Sequence, residues 1–378
     1  MLRLLMLLLS CLTLTSCAHA ESDVSLLAIN VGKADALLLR SGGSAYLIDT
    51  GTEASWGQLS RALKTEGVTR LDGVIVTHTD GDHAGGAQAL AMSSIQVDGW
   101  YAPVWYTRKE SKHKVIRAAA LRGQEVAWLS GGDTLPLESG SITVLGPVEP
   151  SEKENNNSLV LLVEAGGGRM LLAGDMEFPE EQTLLDAGLI PACQVLKVGN
   201  HGEDDATSAA LIEAVQPKLA VISTNTMEEP DTPSPRVITL LQSAGAKIVQ
   251  TQAASAGVLV WMREGQAEAS LRDWPVPPEA PQGMALLDKG EDDTIRLQNT
   301  GAQPIDLTDW FILSERGEEL FVFPAGAIAQ PGEIIAVSSE SSERLGDYVW
   351  PDTKVWHTSK QDTARLFDPY GREMSVLK

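Results

Sequence analysis

Thr77-His78-Thr79-Asp80-Gly81-Asp82-His83-Ala84-Gly85-Gly86 decides how this chain is read, because it sets two histidines and two aspartates close together directly after the apolar run Val74-Ile75-Val76. A loop at the end of a strand can turn such side chains towards one centre. Gly85-Gly86 then lets the backbone enter a helix without crowding that centre. Imidazole and carboxylate together suit zinc, manganese or iron. The plainer alternative is a polar turn whose aspartates cap the next helix.

Further ligand-type residues downstream favour the metal. Asp175 closes the apolar run Leu171-Leu172-Ala173-Gly174, the placement expected of a bridging carboxylate. His201 closes Val195-Leu196-Lys197-Val198-Gly199-Asn200 and is followed by Gly202. The expected ligand set is therefore His78, Asp80, Asp82, His83, Asp175 and His201. Asp82, His83, Asp175 and His201 complete one site, whereas His78, Asp80 and the shared Asp175 leave a second one short of a ligand, with water or Asn156 as filler. Zinc is expected, with manganese the alternative where oxygen donors dominate.

Around these loops, Ser25 to Val31, Ala36 to Leu39, Ala45 to Ile48 and Gly73 to Val76 read as core strands. Gly57 to Thr65, Gly86 to Met92, Glu180 to Ala187, Thr207 to Val215 and Arg236 to Ala244 have helical spacing. Strands mixed with helices predict an α/β layer architecture. The Pro-rich stretch WPVPPEAPQ (274–282) reads as a linker. Beyond it, residues 283–378 show short strands and Gly or Asp turns, the pattern of a small β-sandwich.

In this order the motifs resemble the metallo-β-lactamase fold, and in particular the metal-binding domain of the ComEC family of DNA-internalisation competence proteins. Ile29 to Ala36 is similar to that family's opening strand and turn, and Leu47-Ile48-Asp49-Thr50-Gly51 to its second, in which the Asp supports the metal loop. His78 to Gly86 resembles its signature, and Asn157-Ser158-Leu159-Val160, Ala173-Gly174-Asp175 and Leu196 to Gly202 resemble the motifs that follow. Two positions depart from the pattern: Asn200 stands where the first of two adjacent histidines is usual, and Thr232-Pro233-Ser234-Pro235 where a His-Pro pair is common. The resemblance implies an αββα sandwich with a hydrolytic metal centre in residues 21–272. After the linker (273–282), Ile295 to Gly301, Ile305 to Trp310, Pro331-Gly332, Val355-Trp356, Asp362 to Leu366 and Asp368 to Gly371 resemble the lamin-tail domain, an immunoglobulin-like sandwich. Trp310 and Trp356 are read as its core. The module implies tethering, here to an envelope component.

The net charge of −22 across 378 residues argues against broad electrostatic capture of nucleic acid. Arg108, Lys109, Lys112, His113, Lys114, Arg117 and Arg122 form a basic cluster on an expected helix, where Lys112 and Lys114 are candidates to follow a phosphate backbone; the plainer reading is a solvated face. Lys197 and Asn200 are further candidates for substrate contact.

Residues 1–20 have the layout of a secretory signal. Leu14-Thr15-Ser16-Cys17 resembles a lipobox, implying a lipid anchor at Cys17 and a membrane-attached exported protein; cleavage after Ala18-His19-Ala20 would instead release a soluble one. Past the signal only Cys193 remains, so no intrachain disulfide is expected, and its apolar surroundings predict a buried thiol. The expected function is that of an exported phosphodiesterase or nuclease in which metal-activated water attacks phosphorus, with His78, Asp80, Asp82 and Asp175 as catalytic residues and DNA or a related phosphodiester as substrate. The alternatives are hydrolysis of another envelope phosphodiester and a metal-binding scaffold of impaired activity.

Overall fold

A computed structural model describes residues 23–290, 293–357 and 360–378. The signal readings and Cys17 fall outside the described residues. Two sheets face each other in the first part of the chain. One has eight strands, in the order Gln266–Arg272, Gly257–Arg263, Val24–Ile29, Leu37–Ser41, Ser44–Ile48, Gly73–Ile75, Trp100–Pro103 and Val126–Leu129. The other has seven, in the order Lys247–Gln250, Leu219–Ile222, Val195–Lys197, Gly168–Leu172, Val160–Ala165, Gly140–Gly146 and Thr134–Leu137.

The near-continuous apolar runs follow from burial on both faces of each sheet. In Val24–Ile29, Leu26 and Ala28 enter the core between the sheets, while Leu27 and Ile29 face an outer layer built on the helices Trp56–Thr65, Ala87–Met92 and Lys114–Leu121. Across the sandwich, Leu161 and Val163 face inward, whereas Val160 and Leu162 pack beneath Phe178–Asp186, Ala209–Val215 and Pro235–Ser243. The layers are therefore helix, sheet, sheet, helix. The expected strands and helices agree with these elements to within a residue or two, the usual uncertainty of boundaries.

Half of each sheet is parallel, and this positions the site. Ser44–Ile48, Gly73–Ile75, Trp100–Pro103 and Val126–Leu129 run together in one sheet, and Gly168–Leu172, Val195–Lys197, Leu219–Ile222 and Lys247–Gln250 do so in the other. Asp49, the His78 loop, Asp175, His201 and Ser223 each lie just past the carboxyl end of one of these strands, where open α/β sheets gather functional groups.

The basic cluster does not form one helix. A 3-10 turn, Glu110–Lys112, stops at His113, whose Nδ1 accepts from Ile116 N at 3.4 Å and caps Lys114–Leu121. Its charges are also engaged. Arg108 pairs with Asp80 at 2.7 Å, Lys114 with Glu53 at 3.2 Å and Arg117 with Asp352 at 2.5 Å. Arg122 donates to the carbonyls of Ser93 at 2.5 Å and Ile95 at 3.1 Å. Lys109 and Lys112 stay exposed. The sequence gives no sign of these partners, since Glu53 and Asp352 are distant in the chain.

The tail pairs a sheet of Met284–Lys289, Thr294–Asn299, Ile334–Ser339 and Tyr348–Trp350 with one of Leu320–Val322, Phe311–Ser314, Ala364–Phe367 and Glu373–Leu377. Trp310, Trp350 and Trp356 are buried among Ile295, Phe323 and Val337. It is docked, not strung out: Phe311, Leu320 and Val322 join the outer apolar layer of the first sheet. Asp309 accepts from Ser94 N at 2.6 Å and Ser94 Oγ at 2.7 Å. The connecting segment is pinned as well, with Arg61 stacked over Trp274 at 5.0 Å and donating to the Pro275 carbonyl at 3.1 Å. Cys193 is buried, and burial pushes its thiol up to about 12.

Candidate metal centre

Asp82, His83, Asp175 and His201 offer ligand atoms that all lie within 4.8 Å of one another. Asp175 Oδ2 is the hub: it stands 3.1 Å from His83 Nε2, 3.6 Å from His201 Nε2 and 3.9 Å from His78 Nε2. Asp82 Oδ2 is 3.5 Å from His201 Nε2 and 3.9 Å from His83 Nε2. Ligands about 2.0–2.1 Å from a tetrahedral ion sit roughly 3.3 Å apart, so these separations are those of donors around a cation.

The outward-facing nitrogens are fixed by what the other nitrogen of each ring touches. His201 Nδ1 is 2.9 Å from the Ser223 carbonyl, which can only accept, so Nδ1 carries the proton and Nε2 presents a lone pair. His83 Nδ1 donates in the same way to Asp49 Oδ2 at 2.8 Å. Thr77 Oγ1 gives its proton to Asp49 Oδ2 at 2.9 Å, so towards His78 Nδ1, 3.2 Å away, it can only accept. All three rings thus turn an Nε2 lone pair to the centre. Those three nitrogens and Asp175 Oδ1 are buried without a hydrogen-bond partner among the described residues. Orphaned buried polar atoms are costly, and a cation satisfies them together; the donor set fits zinc or manganese.

Without an ion, protons take its place. Burial disfavours the charged His201 imidazolium, but Asp175 and Asp82 outweigh burial and push its pKa up to about 9. Burial likewise opposes a charge on His83, yet Asp175 and Asp49 hold it well above the ordinary value. Burial would raise the Asp175 carboxyl; His83 and His201 keep it well below the usual range.

Local backbone explains several motif residues. Asn200, His201 and Gly202 have φ of 45°, 52° and 84°. Left-handed non-glycine residues are strained, and Asn and His both tolerate that region better than most, so the backbone admits Asn200 without distinguishing it from the usual histidine. Its Nδ2 donates to Asp205 Oδ1 at 3.2 Å and the side chain is buried, so it is not turned to a substrate. Gly85 is helical, with φ of −58°, and is required by close approach: a Cβ would stand 2.5 Å from Glu53 N and from Gly81 O. Ser158 Oγ accepts from Asp175 N at 3.2 Å, tying the Asn157-Ser158 motif to the hub.

The His78 side is less complete. His78 Nε2 is 3.7 Å from Asp80 Oδ2, but Asp80 is one-third exposed and its Oδ1 is taken by Arg108. Asn156 does not fill the gap, because its amide donates to Glu177 Oε2 at 2.9 Å and its carbonyl accepts from Glu180 N at 3.3 Å. Lys197 is not placed to meet a phosphate either. It is fully buried, with its ammonium 2.8 Å from Asp35 Oδ2 and 3.1 Å from the Val198 carbonyl. Lys112 and Lys114 lie outside this cluster, the latter bound to Glu53.

Four supporting groups had no separate sequence signal: Glu154, Arg108 as a partner of Asp80, the Ser223 carbonyl, and Asp35. Asp35 anchors Lys197 while its N donates to the Asp82 carbonyl at 3.1 Å.

Both parts of the chain are similar to known proteins. Residues 29–226 match the metallo-β-lactamase superfamily, and the chain belongs to that superfamily, whose members are usually metal-dependent hydrolases. Residues 278–378 match the lamin tail domain. Among individual proteins, the chain is 30% identical over 254 residues to ComE operon protein 3 of Bacillus subtilis, covering 62% of this chain and 32% of that one. It is 29% identical over 243 residues to competence protein ComA of Neisseria gonorrhoeae, covering 63% and 32%. The chain thus spans about a third of the length of the curated relatives it matches. Among solved structures, Zn(2+)-bound PqqB of Methylobacterium extorquens aligns with a TM-score of 0.43 at 13% identity, covering 63% of this chain and 99% of that one.

Proposed function

We propose that this chain is an exported metal-dependent phosphodiesterase acting on DNA or a related phosphodiester, with His78, Asp80, Asp82, His83, Asp175 and His201 as its ligands. The observation that carries the reading is the set of buried nitrogens with no hydrogen-bond partner among the described residues, Nε2 of His78, His83 and His201, around the Asp175 carboxylate. A zinc or manganese ion bound there would supply Lewis acidity and lower the pKa of water to about 7. The protein's own part is to hold three imidazoles in one tautomer through Ser223, Asp49 and Thr77, and to bury the Asp175 hub. Similarity to proteins named for competence supports a DNA-related substrate; an envelope phosphodiester is the alternative. A lipid anchor at Cys17 and tethering by the tail complete the proposal.

A second reading, a one-metal scaffold, draws support from Arg108 on Asp80 and from the inward turn of Asn200. Elemental analysis alongside a diesterase assay separates the two. The enzyme reading expects bound metal and turnover in the wild type, and Asp175→Asn should lower both by more than about a hundredfold, beyond the loss typical of a supporting residue. Metal at one equivalent with no turnover on any diester would leave the scaffold.

A further inference from the structure

The segment Trp105-Tyr106-Thr107-Arg108 leaves the strand Trp100–Pro103, which neighbours the strand that feeds the metal loop. Two contacts index it to the centre. Glu154 accepts from Thr79 N at 2.9 Å and from Thr107 N at 2.6 Å, so one carboxylate holds both segments. Arg108 donates to Asp80 Oδ1 at 2.7 Å.

Next to these contacts, Tyr106 stacks on Trp128, with ring centroids 5.3 Å apart and planes within 20°. His113, fully buried, meets both rings edge-on at 4.8 and 5.6 Å and fixes their orientation. Trp128 nevertheless stays 40% exposed, on the strand Val126–Leu129 at the end of its sheet. A bulky side chain on an edge strand can simply discourage strand pairing. That role, however, requires neither a stacked tyrosine nor a buried histidine behind it, nor a clamp to the metal loop.

We infer that Tyr106 and Trp128 form a stacking subsite for a nucleobase beside the metal centre, which makes the substrate a nucleotide-bearing diester. The inference rests on the phosphodiesterase reading above. Aromatic faces accept any base, and stacking does not depend on charge, so it suits a chain whose net charge of −22 opposes capture of an anion from a distance. Arg108, two residues past Tyr106, is 41% exposed and directs its charge to Asp80, so the platform itself attracts by stacking alone.

The test uses the full metal-loaded chain and two labelled phosphorothioate probes of equal length, an oligothymidylate and an abasic backbone, with binding read by fluorescence anisotropy. The wild type should bind the oligothymidylate about tenfold more tightly than the abasic probe. Trp128→Ala should erase that ratio and Trp128→Phe should keep it. Tyr106→Leu provides the same reading should Trp128→Ala fail to fold. Equal binding of both probes by the wild type, or a ratio unchanged in Trp128→Ala and Tyr106→Leu, overturns the inference. Hydrolysis separates its failure from that of the parent reading. Cleavage of a dialkyl diester as fast as a thymidine dinucleotide sinks the base subsite alone, whereas cleavage of neither sinks the phosphodiesterase.

Discussion

The two sides of the candidate centre are built from the same loop yet differ in finish. On the Asp82, His83, Asp175 and His201 side, four donors converge, and the three apart from Asp82 are buried and held from behind. On the His78 side a single imidazole looks towards Asp80, which is partly exposed and already paired with Arg108. The difference teaches that a ligand motif fixes residue types, while occupancy depends on groups behind and beside them. A first ion should therefore bind the four-donor side, and a second should bind more weakly.

That contrast can be broken or sharpened experimentally. The largest effect on folding should come from Lys197→Met, which leaves Asp35 charged and buried beside the finished side. A stability loss of about 3–5 kcal/mol is expected in denaturant unfolding. An unchanged unfolding midpoint would mean that the pair does not brace this side. Asp49→Asn removes the acceptor that orients His83 and should weaken the first ion by about 10- to 100-fold, with a smaller effect on the second, read by competition with a chelator.

pH offers a third handle. In the metal-free chain the His201 pKa is about 9, raised above its unfolded value near 6.5, so its protonation stabilises the fold fully below about 6.5 and this contribution disappears as pH rises through about 9. Metal must displace that proton. Affinity at the first site should therefore climb about tenfold per pH unit between roughly 7 and 9 for each proton released, and calorimetry in buffers of different ionisation enthalpy counts the protons. A flat profile would contradict the charge arrangement around Asp175. The smallest effect belongs to Arg108→Ala: freeing Asp80 should tighten the second ion by a few-fold, roughly the strength of an exposed ion pair, and leave the first unchanged.

Much of this was legible in the chain itself. Leu26, Leu27, Ala28 and Ile29 form an unbroken apolar run because both faces of their strand are covered, and the strand-end positions of Asp175 and His201 announced where they would meet. Supporting contacts were not legible, because they join residues with no shared periodicity: Glu154 with Thr79, Ser223 with His201, Arg108 with Asp80. Lys197 was open to misreading for a related reason. A lysine at a strand end looks solvent-bound until Asp35, from a distant loop, is seen against it. The basic cluster likewise appeared free only while the partners of Lys114 and Arg117 were out of view.

The docking of the tail changes how the molecule can be divided. Phe311, Leu320 and Val322 sit in the same apolar layer as Trp56, Leu59 and Leu90. Cutting the chain at its proline-rich joint would therefore strip a covering from the hydrolytic half and bare an oily scar on each fragment. Expression of either piece alone should then favour aggregation, so the two modules are joined by more than their linker.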